Sequence, residues 1–205
     1  MTSSDAVITQ PAAAPGRPPG RGAVTRDRIV DAAAELFYAQ GLRAVSADKI
    51  IERAGITKVT FYRHFPSKDD LIVAYLERRA AWEREAILGA SAAAHGDVEE
   101  TIRIVSEGIG AEACTAGFRG CPFINAAAEY ADASHPVRQV VNAHRAWFLE
   151  MLEKLTASIG IDDPTVAEEL MMLRDGAMVT GYLGKADKVS AALLSASRAV
   201  LSLPR

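Results

Sequence analysis

Apolar residues recur at intervals of three and four along almost the whole chain, and this spacing predicts helices. The first predicted helix begins near Thr25, which can cap it, and stops at Gly41. Its inward face comprises Ile29, Leu36 and Phe37. Neither the alternation typical of strands nor an internal repeat occurs. The pattern therefore predicts an all-α fold of about nine helices.

Capping residues mark where the next helices begin. Ser46 and Thr57 are the expected N-caps of the second and third helices, with Gly55 in the turn between them. Ser67 and Asp70 form a capping-box pattern that opens the fourth helix. The remaining predicted starts are Asp97, Pro122, Pro136, Asp163 and about Asp187, the last helix ending near Leu203.

The first 22 residues differ from the rest of the chain. Prolines and glycines alternate there without periodic apolar positions, which is typical of a disordered tail. A basic arm that reaches a DNA groove through Arg17 and Arg21 is the alternative. We therefore divide the chain into a tail (1–22), a domain of three short helices (23–70) and a larger helical domain (71–205).

The composition is that of a globular protein, with 49% hydrophobic residues among 205 and two cysteines. This excludes a disulfide scaffold. The sequence contains neither an apolar run of ~18 residues nor a secretory signal pattern, so we expect a cytoplasmic protein without a membrane segment.

Net charge changes sign along the chain, although its total of −3 argues at first against a nucleic-acid partner. Residues 1–70 carry +2 and residues 71–205 carry −5. Segment 53–68 contains Arg53, Lys58, Arg63 and Lys68 and no acidic residue. This basic segment favours a surface that faces phosphates, with a solvated helix face as the alternative.

Three short helices with a basic third helix describe a helix-turn-helix. Phe61 and Phe65 are one turn apart and are expected to face the core. The outer surface of the third helix then fits a DNA major groove. The residues expected on that surface are Lys58, Thr60, Tyr62, Arg63 and His64.

The run from Ala54 to Leu71, AGITKVTFYRHFPSKDDL, resembles the DNA-binding signature of the TetR family of transcriptional repressors, and the match extends over about residues 25–71. The resemblance implies a repressor that binds a palindromic double-stranded DNA operator as a homodimer and is released by a small molecule. Asp48 departs from the pattern and is left out of the contacts. The implied DNA contacts are Ser46, Thr57, Lys58, Thr60, Tyr62, Arg63, His64 and Lys68.

The resemblance also assigns two tasks to the acidic helical domain. The last two helices would form the dimer, through a face of small residues, or that face packs within one protomer. The face comprises Gly176, Ala177, Thr180, Gly181 and Gly184. A cavity would hold an apolar or amphipathic effector, although stripes of this kind are also typical of ordinary core. The candidate ligand residues are Trp82, Phe118, Phe123, Asn125, Glu129, His144, Trp147, Met151, Asp175, Met178 and Tyr182.

Other chemistry finds little support in the sequence. Cys114 and Cys121 are seven residues apart, which is not a zinc spacing, and we expect packed thiols with a thiol redox sensor as the alternative. Catalytic motifs such as GxSxG or a P-loop do not occur. We therefore expect no enzyme, cofactor or metal. A helical interaction protein without DNA binding remains a third hypothesis, against which the basic segment argues.

Overall fold

The computed structural model describes residues 21–202, and these form nine α-helices and one 3-10 turn without a strand. The predicted all-α fold is thereby confirmed, whereas the predicted tail lies almost entirely outside the described residues. The helices are α1 Arg21–Gln40, α2 Ala47–Ala54, α3 Lys58–His64, α4 Lys68–Ala93, α5 Val98–Ala113, α6 Pro122–Glu129, α7 Pro136–Ala157, α8 Pro164–Leu183 and α9 Val189–Ser202, the last preceded by the 3-10 turn Ala186–Lys188.

The predicted caps explain where α2, α3 and α4 begin. The side chains of Ser46 and Thr57 accept hydrogen bonds from backbone N–H groups in the first turns of α2 and α3. Ser67 and Asp70 form both bonds of the capping box at α4. Gly55 ends α2 with φ +60°, a left-handed conformation that favours glycine.

The predicted start of α1 is wrong. Thr25 lies inside α1, which already begins at Arg21, so residues 21 and 22 belong to the helix and not to a tail. No proline follows Pro19 in this segment, and arginine and alanine favour the helix. The last helix also differs slightly, because residues 186–188 form a 3-10 turn before α9.

Helices α1–α3 form a small head that shares its core with the rest of the protein. Phe61 and Phe65 are buried, as predicted, together with Ile29 and Ile50. The same apolar cluster continues through Leu71 at the start of α4 into α6 and α7. The head is therefore seated on the helical body by a continuous core as well as by polar bonds.

The body is a bundle in which α7 packs on α4 and α8, and α9 packs on α5 and α8. A Cβ added to Gly110 of α5 would lie 2.6 Å from the Cβ of Ser190, so these helices approach each other closely. None of the helices formed by the described residues is both long and apolar enough to cross a bilayer.

Candidate DNA-binding surface and effector site

Helix α3 presents a continuous solvent-facing surface on the side opposite its buried phenylalanines. Lys58, Tyr62 and Arg63 are exposed, whereas Thr60 is half-buried. Sequence reasoning missed Val59, whose side chain is 79% exposed. Its position could have been found from helical spacing, because a residue two positions before buried Phe61 points to the opposite side. A solvated valine on this surface is suited to contact a thymine methyl group.

An intramolecular ion pair lies on this surface. The Nζ of Lys58 is 3.6 Å from a carboxylate oxygen of Asp48, and both side chains are mostly exposed. Thr57 and Thr60 share a hydrogen bond of 2.9 Å between their hydroxyls. Asp48 therefore partly neutralises Lys58 while DNA is absent, which explains how an acidic residue is accommodated beside the basic segment.

Lys68 and His64, two of the predicted DNA contacts, are each only partly exposed. The ammonium of Lys68 donates to the carbonyls of Leu42, Arg43 and Val45, each at 3.1 Å. These bonds use its three N–H donors, so Lys68 fixes the loop between α1 and α2 and does not present a free charge to phosphate. His64 is half-buried, and its Nε2 has no hydrogen-bond partner within residues 21–202.

Glu129, at the end of α6, joins the body to the head. Its Oε1 accepts a hydrogen bond from the N–H of Leu42 at 2.9 Å, and its Oε2 accepts one from Arg43 at 2.7 Å. The approach depends on Gly41, where φ is +94° and an added Cβ would lie 3.2 Å from Oε1. The carboxylate is thus occupied by two backbone amides, and its predicted contact with an effector stays a prediction.

Further hydrogen bonds surround this junction. The hydroxyl of Tyr38 in α1 donates to the carbonyl of Gly120 and accepts from the N–H of Arg119, both at 2.9 Å. Burial raises the pKa of Tyr38, so the hydroxyl stays protonated. Asn125, predicted as a ligand residue, instead donates to the Arg119 carbonyl. These contacts fix the loop before α6 against the end of α1.

A buried carboxylate lies at the centre of the body. Glu83 of α4 accepts hydrogen bonds from Arg79 at 2.9 Å and from Arg174 of α8 at 3.2 Å, and its Oε2 lies 3.1 Å from Nε2 of His144 in α7. Burial alone would raise the pKa of Glu83, but the His144 bond and the charges of Arg174 and Arg79 outweigh it and lower this pKa to about 2. Glu83 is therefore ionised and links three helices.

Two further predicted ligand residues belong to the surroundings of Glu83. The imidazole of His144 is buried and stacks on Phe123 of α6 with ring centroids 3.9 Å apart. Asp175 accepts hydrogen bonds from Arg174 at 3.2 Å and from Arg145 at 2.6 Å. His144 is held in the packed interior and Asp175 in a partly buried ion pair, because the same residue types that suit a ligand also satisfy buried charge.

The two cysteines have different environments. Cys121 is buried at the start of α6, with its Sγ 3.2 Å from Nη1 of Arg174. Cys114 is exposed at the end of α5. The expectation of two packed thiols therefore holds for Cys121 and fails for Cys114.

An apolar cavity of about 50 Å³ lies between α4, α5, α7, α8 and α9. Of the predicted ligand residues, only Met151 lines it. Its walls are formed by Ile87, Thr101, Ile102, Val105, Ser106, Ile109, Phe148, Met151, Leu152, Leu155, Leu170, Arg174, Leu193 and Ser197.

The other predicted ligand residues do not converge on this cavity. Asn125, Glu129 and Tyr182 border a separate cleft of about 240 Å³ between α1, α6 and α8. Phe123 and Met178 are buried in the core that the head and body share. The residues that line neither space are Trp82, Phe118, Phe123, His144, Trp147, Asp175 and Met178.

Helix α8 carries an apolar stripe that none of the described residues covers. Met172, Val179 and Leu183 are 64%, 45% and 74% exposed, and they share a face with Gly176, where an added Cβ would meet no atom within 4 Å. Gly181 of the predicted small-residue face belongs elsewhere. Its added Cβ would lie 2.8 Å from the Cβ of Ala113, so Gly181 serves packing within the protomer.

The arrangement of a helix-turn-helix head on an all-helical body defines a class of DNA-binding transcription regulators, and comparison with known proteins agrees. The family model described as bacterial regulatory proteins, tetR family, matches residues 29–75. Escherichia coli (strain K12) YjdC, an HTH-type transcriptional regulator, is 23% identical over 160 residues, covering 75% of this chain and 81% of YjdC. LmrA of Bacillus subtilis (strain 168), another such regulator, is 29% identical and covers 64% and 71%.

A solved structure resembles the chain over most of its length. The TetR-family transcriptional regulator SCO4454 from Streptomyces coelicolor superposes with a TM-score of 0.83 at 39% identity, covering 87% of this chain and 95% of that one. The chain belongs to the TetR family of transcriptional regulators. Its head is accordingly a DNA-binding domain.

Proposed function

We propose that the protein is a repressor that binds a palindromic operator as a homodimer and is released by a small effector. The observation that carries the proposal is the surface of α3, where basic, hydroxyl and apolar side chains are exposed together while Phe61 and Phe65 anchor the helix from behind. Such a helix fits the major groove, where these side-chain types read base edges.

The proposed contacts fall into two groups. Lys58 or Arg63 would donate to guanine, each good contact contributing about 1–3 kcal/mol of discrimination, and Val59 would meet a thymine methyl group. The remaining contacts position the head on phosphates. They are Ser46, Thr57, Thr60, Tyr62 and His64; Lys68 is omitted because its donors are already used.

A second copy of the chain is the proposed occupant of the exposed face of α8. Helix α9, which packs on α8, also exposes small residues, Ala192 and Ala199. Two such helix pairs would pack as a four-helix bundle and bury the stripes from water. A dimer is also what a palindrome requires, with recognition helices about 34–36 Å apart or somewhat more.

The effector is proposed to act through α6. Arg174 lines the apolar cavity and also contacts Cys121 at the start of α6. The other end of α6 holds the head through Glu129. An effector that binds better when Arg174 is displaced would therefore shift α6 and the head, and the population of the DNA-binding arrangement would fall.

The first experiment is a salt titration of binding to duplex DNA by fluorescence anisotropy. Wild-type affinity is expected to fall steeply with salt, and Lys58→Ala is expected to weaken binding and reduce the slope of log affinity against log salt by about one. Tyr62→Ala is expected to weaken binding as well. Lys154→Ala, which removes an exposed charge in the last turn of α7, is the matched control.

Two results contradict the proposal. A salt-independent wild type would favour an interaction protein without DNA binding. Unchanged affinity in both Lys58→Ala and Tyr62→Ala would exclude α3 as the recognition helix. Sedimentation of Leu183→Asp tests the dimer: a monomer is expected, and an unchanged dimer would exclude the α8 face.

A further inference from the structure

The walls of the apolar cavity are mainly aliphatic. Examples are Ile102, Val105 and Leu155. Among the described residues of the lining, Phe148 is the one aromatic residue. The volume of about 50 Å³ is far below the ~300–1,000 Å³ that enclose drug-sized ligands. A small aliphatic cavity admits a thin, flexible chain with less rearrangement than a rigid ring system requires, because packed cores resist overfilling.

The lining also contains polar groups. Arg174 is the sole charged residue among the described residues of the lining, and its side chain is 13% exposed. Its Nη1 and Nη2 are bonded to Asp175, Cys121 and Glu83, whereas its Nε–H has no acceptor within residues 21–202. Ser106 adds a hydroxyl to the lining. The cavity therefore offers hydrogen-bond donors to an acceptor on the ligand.

The charge around Arg174 is already balanced. The connected cluster contains three arginines and three carboxylates in the described part of the chain. They are Arg79, Arg145, Arg174, Glu83, Glu112 and Asp175. A charged ligand group would add an uncompensated charge in a low-dielectric interior, which is costly. A neutral acceptor such as a carbonyl oxygen uses the free donor without that cost.

We propose that the effector is a neutral compound with an unbranched aliphatic chain and a single carbonyl oxygen, bound with the chain in the cavity and the oxygen at Nε of Arg174. The inference rests on the proposed function, because it names the ligand class of that effector site. The carbonyl binds the same guanidinium whose Nη groups hold Cys121 and Glu83. A shift of Arg174 on binding therefore displaces the start of α6.

Isothermal titration calorimetry with the full chain, without DNA, tests the ligand class. The probes are 2-heptanone, 2-octanone and 2-nonanone, together with nonanoate and nonylammonium. Each added methylene is expected to tighten binding about threefold to fourfold as long as it enters the cavity. 2-Nonanone is expected to bind at least tenfold more tightly than either ion.

Two variants locate the site. Val105→Trp adds bulk to the cavity lining without replacing a member of the charge cluster and is expected to abolish 2-nonanone binding, whereas Leu88→Trp, at an exposed position of α4, is expected to leave it unchanged. Arg174→Met is expected to weaken 2-nonanone binding at least fivefold if the variant folds. Circular dichroism confirms folding in each case.

The outcomes separate this inference from the proposed function. Absence of chain-length dependence, tighter binding of nonanoate or nonylammonium, or normal binding to Val105→Trp would each overturn the ligand class. DNA binding is measured on the same samples without ligand. Ligand failure with intact DNA binding refutes the inference alone, while intact ligand binding without DNA binding refutes the proposed repressor.

Discussion

Replacing Glu129 with alanine removes the carboxylate that joins α6 to the head. Two backbone N–H groups, of Leu42 and Arg43, lose an acceptor. Hydrogen bonds to a charged group contribute about 1.5–3 kcal/mol each. The N–H of Arg43 is in an exposed bond and regains water, while the bond of Leu42 is partly buried. We therefore expect Glu129→Ala to lower the free energy of unfolding by about 2–3 kcal/mol.

Urea unfolding at a fixed protein concentration measures this change, since the stability of a dimer depends on concentration. Glu129→Gln keeps one acceptor oxygen and is expected to lose about half as much. Glu85→Ala is the control, because Glu85 is an exposed carboxylate on α4 whose change is expected to stay within about 0.5 kcal/mol. If Glu129→Ala is no less stable than this control, the two amide bonds do not hold the head and the proposed role of α6 fails.

Three further outcomes are expected. Asp48→Asn removes the exposed partner of Lys58 and is expected to tighten DNA binding severalfold at low salt in an anisotropy titration; weaker binding would show that the Lys58–Asp48 pair positions the lysine. The pKa of Glu83 is lowered from 4.5 to about 2, so the stabilisation from its charge is present above about pH 4.5 and is lost as pH falls toward 2. The urea midpoint of Glu83→Gln is therefore expected to fall less steeply than that of the wild type between pH 5 and 3. Parallel profiles of the two proteins would contradict this. Gly181→Ala is expected to destabilise the protein by about 1–3 kcal/mol because its Cβ would overlap Ala113. Gly176→Ala, whose added Cβ meets no described atom within 4 Å, is expected to raise the free energy of unfolding by up to about 1 kcal/mol through helix propensity and to change the dimer dissociation constant. Equal unfolding of the two variants would refute the assignment of Gly181 to packing within the protomer.

The head was predictable because its determinants are local. Ser46, Thr57 and Ser67 cap helices through bonds to residues three positions away, and Gly55 ends α2 through its own backbone conformation. Phe61 and Phe65 fix which side of α3 is buried. Such signals require no knowledge of distant contacts, so helix boundaries and the exposed recognition surface follow from short-range rules.

The effector site was not predictable in the same way. His144 and Asp175 lie on the inward faces that the helical period indicates, yet each is bonded to a charge on a helix far away in sequence. Periodicity gives the inward direction of a side chain and not its partner. The cavity is lined instead by aliphatic residues such as Val105 and Leu155, whose types are the same as those of ordinary core.

Sequence alone thus determined the all-helical architecture, the helix-turn-helix and the basic surface of α3, because capping, turn conformation and amphipathic period act within a few residues. Only the tertiary structure decided that Lys68 and Glu129 hold the loop after α1 and that Gly181 packs against Ala113. These roles arise where helices distant in sequence meet, and a charged or small residue can serve a ligand, a partner or the fold equally well. The residues that surround such a residue in the folded protein decide which of these roles it has.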